Sequence, residues 1–133
     1  GKITVREDEG NNNPALVYRS HGGDITLPSG LKTMILVNNG SASASEILAG
    51  AMSEHGVADL IGTQTFGKGS VQELIPLSDG SSVKITVAKW LTPNGVSISE
   101  KGIKPKYIIT EKTTEKNIDP INVKALQQLN YKK

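Results

Sequence analysis

Two short segments carry residue types that could do chemistry. One is Gly40-Ser41-Ala42-Ser43-Ala44-Ser45-Glu46 and the other is Thr65-Phe66-Gly67-Lys68-Gly69-Ser70-Val71-Gln72. A serine hydroxyl must lose a proton as it attacks a carbonyl, so it needs a base. A lysine amine serves only when neutral. Its ordinary pKa of about 10.4 can be lowered by roughly 3–5 units through desolvation. Ser-Lys pairs are a variant of the serine-nucleophile logic. Ser43, with Glu46 three residues on, has the form of a capping box at a helix start. Free N–H groups and the helix dipole there favour a developing oxyanion. A plain serine N-cap accounts for the same residues, and an ordinary solvated lysine accounts for Lys68.

Other chemistries have less to stand on. The 133 residues include no cysteine, which excludes disulfides, thiolate catalysis and cysteine-ligated zinc. His21 and His55 are isolated, with no Asp partner pattern, so a Ser-His-Asp triad lacks support. No metal-ligand spacing appears, and neither metal nor cofactor is expected. Gly62-Thr63-Gln64-Thr65-Phe66-Gly67-Lys68 matches most of a phosphate-binding loop, a weaker alternative for residues 62–69. It fails at Gly69, where Ser or Thr should hold magnesium, and a strand pattern follows where a helix should open. The net charge of +2, from 15 basic and 13 acidic residues, is too balanced and scattered for nucleic acid. No run of about 18 apolar residues is present to span a membrane as a helix.

The elements that must position these segments can be read from periodicity and turn residues. Strands are expected at 2–7 and 15–20, separated by the turn 9–14, and a loop at 21–30. The apolar run 34–38 reads as a strand buried on both faces. A helix should follow from the Ser43 turn, with Ile47, Leu48, Ala51 and Met52 at helical spacing and Gly56 at its C-terminal cap. A strand at 57–62 completes a parallel βαβ unit. Residues 70–77 and 83–91 form a hairpin around 78–82. Residues 92–106 are loop-rich, 107–110 suggest a last strand, and 119–129 a short helix in a polar tail. The fold class is α/β, a mixed sheet with a βαβ unit, a β-hairpin and a short C-terminal helix. Ser43 and Lys68 then occupy adjacent turns at one sheet edge, where α/β folds place ligands.

These residues resemble a known family. The run MILVNNGSASASEILAGAM at 34–52, LIGTQTFGKGSVQ at 60–72, TP-x-G-x-x-I at 92–98 and GIKP at 102–105 are similar to the C-terminal processing, or tail-specific, peptidases. The resemblance covers about 31–106. It implies a ClpP/crotonase-like core and a serine protease that cleaves proteins near their C-termini. By position it implies Ser43 as nucleophile, Lys68 as general base, Gln72 as third member and the Ala44 N–H as oxyanion donor. Thr92–Ile98 reads as structural. On an alternating strand Lys68 and Gln72 would share a face.

The resemblance also implies protein or peptide C-termini as partners, and an extracytoplasmic setting in the periplasm or cell envelope, with membrane anchoring of the parent as one arrangement. Residues 1–112 correspond to part of the catalytic core and 113–133 to a polar tail. The sequence opens at GKITVRE with no leader. A substrate-capturing PDZ domain and an upstream Asn-Pro-Gly-Gly turn, which supplies oxyanion-hole backbone, fall outside it. A piece of a larger enzyme, inactive alone and prone to self-association through exposed strands, is therefore expected. Lys106 stands where the family commonly has Asp. A peptide-binding module without catalysis is the alternative.

Overall fold

The structure, a computed structural model, describes residues 1–10, 12–22, 31–110 and 119–130. The elements run β1 (Ile3–Asp8), β2 (Leu16–Arg19), β3 (Met34–Val37), α1 (Ala44–Glu54), β4 (Asp59–Gly62), β5 (Ser70–Pro76), β6 (Ser82–Leu91), β7 (Tyr107–Ile108) and α2 (Pro120–Gln128). They form two sheets. An antiparallel sheet has the order β2-β1-β6-β5, and a parallel one the order β3-β4-β7. The expected α/β class, the βαβ unit, the hairpin and the C-terminal helix are all present. Most of the expected loop at 21–30, Asn11 of the turn 9–14, and the polar stretch 111–118 lie outside the described residues.

Helix α1 starts because Ser43 interrupts the chain direction and Ala, Leu, Met and Glu follow, all good helix formers. It ends at His55, after which Gly56 adopts φ +66°, a left-handed C′ position that glycine fills without strain. Its buried face differs from the expected one. Glu46, Ala49, Gly50 and Ala51 are buried, whereas Leu48 is 59% exposed. Small residues win because neighbours come very close: a Cβ on Gly50 would lie 3.1 Å from Ile103 Cδ1 and 3.3 Å from Thr92 Cγ2. Val37 of β3, Ala49 of α1 and Leu60 of β4 form the core beneath, with Ile35 and Ile103 packed against them.

Strand β3 corrects the expectation of burial on both faces. Val37 is buried but Leu36 is 45% exposed. Ile35 and Val37 pack toward α1, which leaves Leu36 on the opposite face of the pleat. β3 is also the outer strand of its sheet.

Strands β3 and β4 run parallel with Val37 opposite Gly62. Gly62 has φ +133°, and a Cβ there would lie 1.9 Å from the Val37 carbonyl oxygen. Gly62→Ala is therefore expected to destabilise the fold by about 3 kcal/mol or more through strain and overlap. Urea denaturation would measure it.

Lys106 takes up a contact of its own. Its Nζ lies 2.8 Å from an Asp59 carboxylate oxygen and 5.3 Å from the Tyr107 ring centroid. The hydrogen bond to Asp59 raises the Lys106 pKa above the ordinary lysine value; desolvation opposes it, and the Asp59 charge adds to the rise. Such a group stabilises below its unfolded pKa and loses that contribution as pH rises through the folded one. Both side chains are well exposed, so Lys106→Ala is expected to leave Tm unchanged within error at physiological salt.

Candidate active site

The parallel pair sets two turns side by side. Ser43 lies six residues beyond Val37 and Lys68 six residues beyond Gly62, the residues that face each other at the strand ends. Between them the Phe66 N–H donates to the Ser41 carbonyl at 2.9 Å, and the Thr63 N–H to the Val37 carbonyl at 3.0 Å. The serine turn and the lysine loop thus run as neighbours off one sheet edge.

Ser43 is the N-cap of α1 with φ 57° and ψ −118°. Residues with a Cβ rarely adopt this conformation, which costs on the order of 1–3 kcal/mol and occurs where surrounding structure enforces it. The enforcing group is Glu46. Its carboxylate accepts the Ser43 N–H at 2.9 Å, one half of the expected capping box. In the other half, the Glu46 N–H is already directed to the Ser43 carbonyl at 2.9 Å. The two halves of a capping box face each other here, with the Ser43 side chain toward the Glu46 N–H, yet the Ser43 hydroxyl makes no regular cap hydrogen bond among the described residues. The N–H of Ala44, the first helical residue, has no acceptor among them either. A nucleophile and an oxyanion donor need those two groups free.

Glu46 does far more than cap. It is fully buried. Its Oε2, which takes the Ser43 N–H, also accepts the Lys68 N–H at 2.9 Å. Its Oε1 accepts the Gly67 N–H at 2.8 Å and the Thr65 hydroxyl. One oxygen therefore touches the backbone of both proposed catalytic residues, so their two nitrogens lie no further apart than two hydrogen-bond lengths. No cation partners this carboxylate among the described residues; four N–H and O–H donors satisfy it instead.

Lys68 and Gln72 are both exposed. The Lys68 amine forms no ion pair and no hydrogen bond with Gln72 among the described residues. Gln72 lies within β5, opposite Thr86. Lys68 precedes that strand by two residues, so the shared-face expectation extends strand alternation past the end of the ladder. A strand, not a helix, follows Lys68, so the phosphate-loop alternative lacks its helix. Sequence reasoning noted Glu46 only as a cap and missed Thr65. A glutamate in a first helical turn is ordinarily solvated, and nothing local marks this one as buried.

Comparison with known proteins now bears on this geometry. The description of peptidase family S41 matches residues 1–109. The chain belongs to peptidase family S41. Among its relatives, the carboxy-terminal processing protease CtpB of Bacillus subtilis (strain 168) is 53% identical over 77 residues, 58% of this S41 chain and 16% of that protein. The carboxy-terminal processing protease CtpA of the same strain is 38% identical over 141 residues, covering 97% of this chain and 29% of that one. The solved structure of a photosystem II D1 C-terminal processing protease matches with a TM-score of 0.70 at 38% identity, covering 81% of this chain and 27% of that one. The S41 chain thus spans less than a third of the length of these relatives.

Proposed function

We propose that this S41 segment carries the catalytic pair of a serine endopeptidase that cleaves protein substrates near their C-termini. Ser43 Oγ attacks the scissile carbonyl carbon and passes its proton to a neutral Lys68 amine. The Ala44 N–H receives the developing oxyanion, and Gln72 holds the amine in line. The tetrahedral intermediate then collapses, the leaving amine takes the proton back from Lys68, and water hydrolyses the acyl-enzyme by the same base.

The observation that carries this reading is the single Glu46 oxygen bound to both the Ser43 and Lys68 N–H groups. No structural role of an ordinary N-cap requires a second loop to share its carboxylate. Lys68 is exposed among the described residues, so its desolvation falls to bound substrate or to other parts of the longer protein. By the family resemblance, a second oxyanion donor would come from an Asn-Pro-Gly-Gly turn of the longer enzyme. Lacking one such donor costs about 10²–10³ in rate, so the isolated segment should turn over peptides far more slowly than the longer enzyme. An extracytoplasmic setting belongs to the same proposal.

A fluorophosphonate probe on the full-length protein tests the reading. Wild type should label and Ser43→Ala should not, with unchanged Tm. Equal labelling of both would remove Ser43 as nucleophile. No labelling of either would favour a peptide-binding module.

A further inference from the structure

Residues Ile98–Ile103 lie against the lysine loop. The Glu100 N–H donates to the Gly67 carbonyl at 2.9 Å, and the Thr65 N–H to the Ile103 carbonyl at 3.2 Å. The Ile103 N–H returns to Thr65 Oγ1 at 2.7 Å, and the Gln64 side-chain amide donates to the Lys101 carbonyl. Glycines permit the approach. A Cβ on Gly69 would lie 2.5 Å from the Ser99 nitrogen, one on Gly67 2.9 Å from the Gly102 nitrogen, and one on Gly102 2.4 Å from the Thr65 carbonyl oxygen. The segment is itself anchored. Ile98 is buried, its N–H donates to the Trp90 carbonyl at 3.1 Å, and Ile103 packs where Gly50 opens α1.

We propose that Ile98–Ile103 is a positioning strap for Lys68, pressing the loop onto Glu46 so that the amine meets the Ser43 hydroxyl. The proposal rests on the Ser43–Lys68 reading above. Thr65 Oγ1 joins the two sides of this grip, since it donates to Glu46 and accepts from Ile103. The charged groups on the elements around Lys68 are Glu46 and Glu54 on α1, Glu100 and Lys101 on the strap, Glu73 on β5, Lys84 and Lys89 on β6, and Arg6, Glu7 and Asp8 on β1. None changes when Thr65 loses its hydroxyl or Gly69 gains a methyl group, so a shift in pH dependence reports position and not charge.

The test is the pH dependence of fluorophosphonate labelling in the full-length protein. A nucleophile that needs a base is labelled at a rate that changes with pH, and the place of that limb is the readout. Thr65→Val, which keeps side-chain volume, and Gly69→Ala should each slow labelling at pH 7 on the order of 100-fold, the cost of about 1 Å of misplacement. Each should also displace the pH limb of labelling from its wild-type position. Thr65→Ser should restore the limb. Gly95→Ala is the control: Gly95 also has positive φ, but a Cβ there meets nothing within 4 Å, so its limb should stay in place. Loss of labelling in Lys68→Ala, together with a wild-type limb in folded Thr65→Val, would overturn the strap. Persistent labelling in Lys68→Ala would instead overturn the Ser-Lys reading beneath it. If Gly69→Ala fails to fold, Thr65→Val decides the matter alone.

Discussion

Replacing Glu46 by glutamine should cost about 3–5 kcal/mol of folding stability and nearly all catalysis. The carboxylate offers two acceptor oxygens to four donors. An amide keeps one acceptor and turns an NH₂ group toward the rest, so two buried donors lose their partner and meet another donor. Each unsatisfied buried donor costs about 1–3 kcal/mol, and bonds to a charged acceptor stand at the upper end. If the amide nitrogen takes the place of Oε2, the Ser43 and Lys68 N–H groups are the two that separate. Glu46→Asp tests reach by itself, because it keeps the charge and shortens the arm by one methylene. Urea denaturation measures the stability loss, and fluorophosphonate labelling at a temperature where the variant remains folded measures the site. A Glu46→Gln protein with wild-type midpoint and labelling rate would show that the shared carboxylate is incidental.

Lys68→Ala should lower kcat by about 10⁴–10⁶ in the full-length protein, the range seen when a residue of a cooperating nucleophile-base set is removed. Stability should change by no more than about 0.5 kcal/mol, because the side chain is exposed and unpaired among the described residues. Lys68→Arg should be as inactive as the alanine variant. A guanidinium keeps the positive charge but does not give up its proton in a protein, so it cannot serve as base. Any limb of the wild-type pH–kcat profile that belongs to this base should vanish in both variants. Activity retained by Lys68→Arg would mean that the residue supplies charge and not proton transfer.

The ladders were legible in the sequence, and so was the helix start. Alternation at β6, the Ser43–Glu46 spacing, Gly56 beyond α1 and the parallel β3-α1-β4 unit all follow from local pattern. These patterns depend on neighbours one to four residues away. Burial did not follow from the same patterns. Leu48 reads as core and is exposed, while Glu46 reads as a solvated cap and is the buried centre of the site. Both outcomes depend on which strand or loop lands on α1, and the contacts that decide them span 19 to 22 residues in sequence. The GIKP segment was noticed as a motif. Its hold on the lysine loop, across 38 residues between Thr65 and Ile103, could not be seen until the chain was folded.

A pair of partners moored to the same atom travels together. Because one Glu46 oxygen fastens the start of the helix and the lysine loop, prying Ser43 and Lys68 apart would mean tearing out a buried carboxylate from the middle of the fold.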